Sequence, residues 1–161
     1  MQAIKIWLKS IQVKDLKVAI VSDHAGYYLK DTLLKYLIQR RVELRDLGCF
    51  HYEETDDYPD FAHPLSKAVS GGEFDIGISI CGTGNGINMT VNKHPGIRSA
   101  LCWNEEISRL ARAHNDANIC ALPARFINES EACLIVRTFL ETEFDGGRHK
   151  RRIDKIPLKM Y

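Results

Sequence analysis

A chain of 161 residues, 45% hydrophobic and 27% charged, has the size and make-up of one soluble globular domain with a real core. Its formal net charge of +1 gives no whole-molecule field that would select nucleic acid or an anionic membrane, and no apolar run approaches the roughly 20 residues needed to span a bilayer. The five cysteines, Cys49, Cys81, Cys102, Cys120 and Cys133, are scattered and form no C-x-x-C pair, which argues against a disulfide framework or zinc site and for a reducing cytoplasm.

The first sixteen residues, "MQAIKIWLKSIQVKDL", mix Ile, Trp and Leu with Lys and lack the continuous apolar stretch of a secretory signal. They read as an N-terminal extension (1–16) ahead of a single domain (17–161), and no function is assigned to them. "KVAIVS" (17–22) is a β-branched strand that ends at Asp23-His24-Ala25-Gly26. "YYLKDTLLKYLIQR" (27–40) carries Leu29, Leu33 and Leu37, with Leu34 and Ile38, at helical spacing. "VELRDLG" (42–48) alternates as a strand and stops at Gly48. A polar loop, "CFHYEETDDYPD" (49–60), precedes a helix around "FAHPLSKAVS" (61–70).

"FDIGISI" (74–80) has the composition of a buried strand, and the glycine turn "CGTGNG" (81–86) leads into a short helix, "INMTVNK" (87–93). "IRSALCW" (97–103) is a strand, and "NEEISRLARAH" (104–114) a helix with Asn104 as its N-cap. "NICALP" (118–123) is a fifth strand, in which Cys120, like Cys102 before it, is a small core residue. "ESEACLIVRTFLET" (129–142) is a helix, and "FDGGRHKRRIDKI" (144–156) an irregular basic tail.

Short apolar strands alternating with helices predict an α/β fold: a single-domain, doubly wound (Rossmann-like) five-stranded parallel sheet with helices on both faces. In such sheets ligands bind beyond the carboxyl ends of the strands. Asp23-His24, the turn after Cys81 and the residues after "NICAL" are therefore expected along one edge.

The glycine turn is neither of the common phosphate motifs. After Gly82 and Gly84 the sixth position is Ile87 rather than the glycine of a dinucleotide fingerprint, and the Lys-Ser/Thr pair of a P-loop is absent. What remains is a set of backbone N–H groups able to converge on an anion or oxyanion, or simply a tight strand-to-helix turn. Cys81 at the strand end is either a buried structural cysteine or a thiol whose pKa those amides lower, ready to act as base or nucleophile.

Asp23 and His24 suit a polar ligand or a local turn. His114 either caps a helix C-terminus or serves as an acid–base group. Arg148 and Arg152 are four apart, so a helical tail would put both guanidiniums on one face for a phosphate. No metal-ligand spacing is present, and the lack of interleaved aromatics speaks against nucleic acid.

Taken together, "SDHAG", "DYPDFAHP", "ICGTGNGI", "NKHPGIRSALC", "ARAHNDAN" and "GGRHKRRID" resemble the ribose-5-phosphate isomerase type B family, which includes galactose-6-phosphate isomerase subunits. The resemblance implies a metal- and cofactor-free aldose–ketose isomerase of the pentose phosphate pathway working through an enediolate. Cys81 falls at the family's base position and His114 at its ring-opening acid. Gly82, Thr83, Gly84, Asn85 and Gly86 fall at the oxyanion site, with Thr83 counted among the catalytic residues. Asp23, His24, Tyr58 and Asn115 match substrate-binding positions, and Arg125, Arg148 and Arg152 match contacts to phosphate and sugar.

One branch of the family carries a glutamate base after the last glycine. Ile87 stands there, so the chain resembles the cysteine-dependent branch. The resemblance further implies a homodimer or homotetramer with active sites at the subunit interface. The alternatives are an isomerase of a six-carbon sugar phosphate (galactose 6-phosphate or allose 6-phosphate), a non-catalytic sugar-phosphate-binding module, or a dinucleotide binder using Glu105 on the ribose.

Overall fold

The computed structural model describes residues 16–158; the extension assigned to 1–16 lies almost wholly outside them. Five parallel strands form one sheet: β1 (Lys17–Ser22), β2 (Glu43–Asp46), β3 (Ile76–Cys81), β4 (Ser99–Leu101) and β5 (Ile119–Pro123), in spatial order β2-β1-β3-β5-β4. Six helices connect and follow them: α1 (Tyr27–Gln39), α2 (Tyr58–Ser70), α3 (Asn85–Val91), α4 (Glu105–Asn115), α5 (Glu129–Glu141) and α6 (Arg148–Ile153). None is long and apolar enough to cross a membrane.

The central strands are buried on both faces, which is why they read as unbroken apolar runs. Successive side chains alternate between two cores. Val18, Ile20, Ile78, Ile80, Cys120 and Leu122 pack against Leu33 and Leu37 of α1 and Ile135, Val136 and Phe139 of α5. On the opposite face Ala19, Val21, Cys81, Ile119 and Ala121 meet Ala62, Leu65 and Val69 of α2 and Ile87 and Val91 of α3. Cys102 and Cys120 are fully buried core residues, as expected.

After β2 the chain crosses back through α2 to β3 on the far side of β1. The switch point lies between β1 and β3, where strand ends diverge and open a crevice. The corner leading out of β2 is pinned by a buried lysine. Lys30, 2% exposed, donates to both oxygens of Asp46 at 2.7 and 2.8 Å and to the carbonyl of Cys49 at 2.6 Å.

Several boundaries differ from the sequence reading. Helix α2 begins at Tyr58, three residues before "FAHPLSKAVS", because Pro59 in the first turn is compatible with a helix start. Helix α3 begins at Asn85, directly after Gly84 turns the chain through a left-handed conformation (φ 73°). Strand β4 is only three residues long. The tail is not irregular throughout: Arg148–Ile153 is helical, anchored by the buried Ile153. Asn104 caps α4 as expected, accepting from the Ile107 N–H at 2.9 Å.

Candidate active site

The ends of β1, β3 and β5 are tied together by their own backbones. Register sets Ser22 opposite Ile80 and Cys81 opposite Pro123. Beyond the strands, the Asp23 N–H donates to the Ile80 carbonyl at 3.2 Å, the Ala124 N–H to Cys81 at 2.9 Å, and the Arg125 N–H to Gly82 at 3.0 Å. The three loops expected on one edge therefore lie there as a connected unit.

Within it, the glycines of the turn are closely packed. A side chain on Gly84 would strike Leu101 and the Leu122–Pro123 peptide, so both its φ and its close neighbours require glycine. The Arg125 side chain lies over Gly82, its Nε 3.2 Å from where a β-carbon would stand, and the Tyr58 ring lies against Gly86. Thr83 and Asn85 are exposed at the rim, with the Asn85 N–H donating to Thr83 Oγ1 at 3.3 Å. An open, mainly apolar groove of about 520 Å³, walled by Leu101, Trp103, Pro123 and Phe126, runs beside them.

Cys81 is 4% exposed, and its pKa is not lowered as the sequence suggested. Burial pushes the thiol up, the nearby Asp23 adds to the rise, and the backbone N–H groups of Ile87, Gly84 and Thr83 only partly oppose it. Ile87 itself is wholly buried in the core, consistent with its inability to replace a glutamate base.

Asp23, 5% exposed, accepts from the Gly26 N–H at 3.1 Å and caps the 3-10 turn His24–Gly26. Burial raises its pKa against the pull of that bond and of His24. His24 Nδ1 stands 2.6 Å from Asp56 Oδ1. Asp56 is the residue that sequence reasoning missed: it sits in the acidic run "EETDD", where no spacing distinguishes one carboxylate from another.

The remaining candidates lie elsewhere. Helix α4 starts beyond the carboxyl end of β4 and runs back to the amino end of β5. His114 and Asn115, at its last turn, are thus at the opposite edge of the sheet from Cys81. The five residues of β5 between them span on the order of 15 Å. Strand direction therefore keeps His114 away from the strand-end chemistry of its own chain.

Around His114 a second cluster forms. Its ring stacks on His149 at 4.1 Å and 7°, and its Nε2 is 3.9 Å from Asp145 Oδ2. Partial desolvation, with the charges of His114, Arg148 and Arg152, holds His149 below the usual imidazole range. Arg148 precedes His149, and Arg152 follows one turn later on α6.

Among the described residues, two groups of side chains bring ligand atoms within 4.8 Å of one another, His114/Asp145/His149 and Asp23/His24/Asp56. Imidazole lone pairs lie in the ring plane, so the parallel rings of the first group do not converge on one ion. In the second, Nδ1 of His24 is already engaged by Asp56.

The structure thus divides the candidate residues into two groups at opposite edges of the sheet. Asp23, His24, Tyr58, Cys81, the segment from Gly82 to Gly86, and Arg125 form one; His114, Asn115, Arg148 and Arg152 belong to the other.

Comparison with known proteins finds solved relatives of the whole chain. The chain superimposes on a ribose 5-phosphate isomerase from Thermotoga maritima with a TM-score of 0.86 and 47% identity, covering 88% of this chain and 97% of that one. It superimposes on ribose-5-phosphate isomerase B of Mycoplasma genitalium, solved with bound ribulose-5-phosphate, at 0.85 and 43% identity over 88% and 94% of the two chains. The Escherichia coli ribose-5-phosphate isomerase B is 41% identical over 140 residues, 87% of this chain and 93% of that protein. The Ribose/Galactose Isomerase family model spans residues 18–156, from β1 to the end of α6 and beyond, and this chain belongs to that family.

Proposed function

We propose that the chain interconverts ribose 5-phosphate and ribulose 5-phosphate, with Cys81 as the base. As thiolate it takes the proton from C2 of the open-chain aldose and returns it to C1, while the hydroxyl proton on O2 passes to O1. The enediolate formed between these transfers carries negative charge on oxygen. The backbone N–H groups from Gly82 to Gly86, with the Thr83 hydroxyl, hold it. Asp23, His24 and Tyr58 bind the sugar, and Arg125 lies over the turn to meet its charge.

The observation that carries this reading is the placement of the buried Cys81 at the end of β3, where the glycine turn begins and the Asp23 N–H is bonded to the Ile80 carbonyl, in a chain that matches a relative bound to ribulose-5-phosphate. A buried thiol with a raised pKa is ionised less often, but is the stronger base once ionised.

His114, Asn115, Arg148 and Arg152 complete the site of a neighbouring copy in a homodimer or larger assembly, His114 opening the sugar ring and the arginines holding the phosphate. What supports this is their position at the opposite edge of the sheet from Cys81 of their own chain. The free state of all five cysteines supports a cytoplasmic setting.

Turnover of ribose 5-phosphate by the purified chain in EDTA, with Cys81→Ala alongside, tests the reading. Activity in the wild type and none in the variant, with sugar-phosphate binding retained, is the expected result. Activity only on galactose 6-phosphate or allose 6-phosphate would reassign the substrate; turnover by Cys81→Ala would remove the thiol as base.

A further inference from the structure

Asp56 belongs to the loop between β2 and α2, yet it grips a residue 32 positions earlier in the chain. One oxygen makes both contacts: Oδ1 accepts from the His24 backbone N–H at 3.0 Å and faces His24 Nδ1 at 2.6 Å. The bond to the main chain fixes where the residue sits, and the bond to the ring fixes how the imidazole is turned. Tyr52 lies edge-on to the His24 ring at 6.2 Å and is stacked on Tyr28. The Asp56 side chain is only 8% exposed and that of His24 22%. The second oxygen, Oδ2, is buried without a hydrogen-bond partner among the described residues. A carboxylate so buried and so unevenly used is costly to keep unless its one engaged oxygen has a task.

We propose that Asp56 is the positioning residue of the sugar-phosphate site: it holds His24 in the Nδ1–H tautomer and one ring orientation, leaving Nε2 as the nitrogen that meets the ligand. A histidine's free nitrogen is set by the partner of the other one, and a carboxylate can only accept, so Nδ1 carries the proton. The inference rests on the isomerase reading for what His24 binds, though not for its tautomer.

The test uses the full chain labelled with nitrogen-15. Imidazole nitrogen–proton correlation spectra, with the His24 signal identified by its loss in His24→Asn, report the tautomer directly. The wild type should show Nδ1–H, and Asp56→Ala should shift the population toward Nε2–H. The same variant should raise KM for ribose 5-phosphate about tenfold with kcat changed far less, since ordering a binding group affects ground and transition states alike. Asp56→Glu, which retains a carboxylate, should recover part of the loss.

An Nε2–H tautomer in the wild type, or an unchanged spectrum and KM in Asp56→Ala, would overturn the proposal. A fall in melting temperature without either change would show a purely structural carboxylate and overturn it equally. If the wild type turns over no sugar phosphate, the isomerase reading fails, and the spectra alone still decide whether Asp56 sets the tautomer.

Discussion

The ring of Tyr58 fills the space that a side chain on Gly86 would occupy: a β-carbon placed on Gly86 would lie 2.6 Å from the tyrosine Cζ and 2.9 Å from its hydroxyl oxygen. Gly86 has an ordinary helical backbone in the first turn of α3, so alanine there meets no conformational penalty, only the ring. Gly86→Ala should therefore displace Tyr58 while leaving the fold intact. A displacement on the order of 1 Å in a substrate-positioning group costs up to about 10²-fold in kcat/KM. Steady-state kinetics check this, and a Gly86→Ala/Tyr58→Ala double variant should be no worse than Tyr58→Ala alone, because the clash has been removed.

Asp23 illustrates a site held at some cost to stability. Its folded-state pKa is raised, chiefly by burial, so the folded protein binds this proton more tightly than the unfolded chain does. The contribution is favourable at low pH, below the ordinary carboxylate value, and is lost as pH rises through the raised one. Asp23→Asn keeps an oxygen for the Gly26 N–H and removes the charge. It should melt higher than wild type near neutral pH, with the gain vanishing in acid, and should be poorly active. Thermal melts across pH check the sign; a variant less stable at neutral pH would contradict the argument.

The lysine buried beneath the β2 corner gives the opposite expectation. Lys30 is hydrogen-bonded to both Asp46 oxygens and to the Cys49 carbonyl. Lys30→Met leaves Asp46 with the Gly48 N–H at 3.0 Å and partial access to solvent, and leaves the Cys49 carbonyl without its partner. Breaking a buried pair typically costs about 3–5 kcal/mol, and the solvent access of Asp46 places the expected loss near the lower end. Urea denaturation measures it.

If, as proposed, the Cys81 group and the His114 group meet only between copies, two inactive variants should rescue each other. Cys81→Ala retains a working His114 edge, and His114→Ala retains a working Cys81 edge. Unfolded together and refolded at equal amounts, random pairing into dimers gives half the molecules one intact site, restoring about a quarter of wild-type turnover. No recovery in the refolded mixture would place the whole site within one chain.

The alternation of strands and helices is legible in the sequence because each buried strand is an apolar run bounded by turn residues, and the strand-end rule puts Asp23 and Cys81 on one edge. The same rule, followed along α4, puts His114 at the other edge, because a helix that starts after the carboxyl end of β4 must run back to the amino end of β5. The thiol pKa was not available in that way. The N–H groups of the turn are local, whereas the burial that outweighs them comes from α2, α3 and neighbouring strands brought together by the fold. The short helix α6 was hidden for a related reason: five of its six residues are basic, and only Ile153 gives it an inward face. Asp56 was invisible because its meaning lies in a contact across 32 residues.

The separation of Cys81 from His114 by the length of β5 has a kinetic meaning. On the proposed reading, a lone chain cannot turn over substrate however well it is folded, because the sheet keeps its own acid and base apart. Specific activity then obeys mass action in the enzyme itself. It is constant while the copies stay associated and falls on dilution below their dissociation constant, while the circular dichroism of the folded chain need not change.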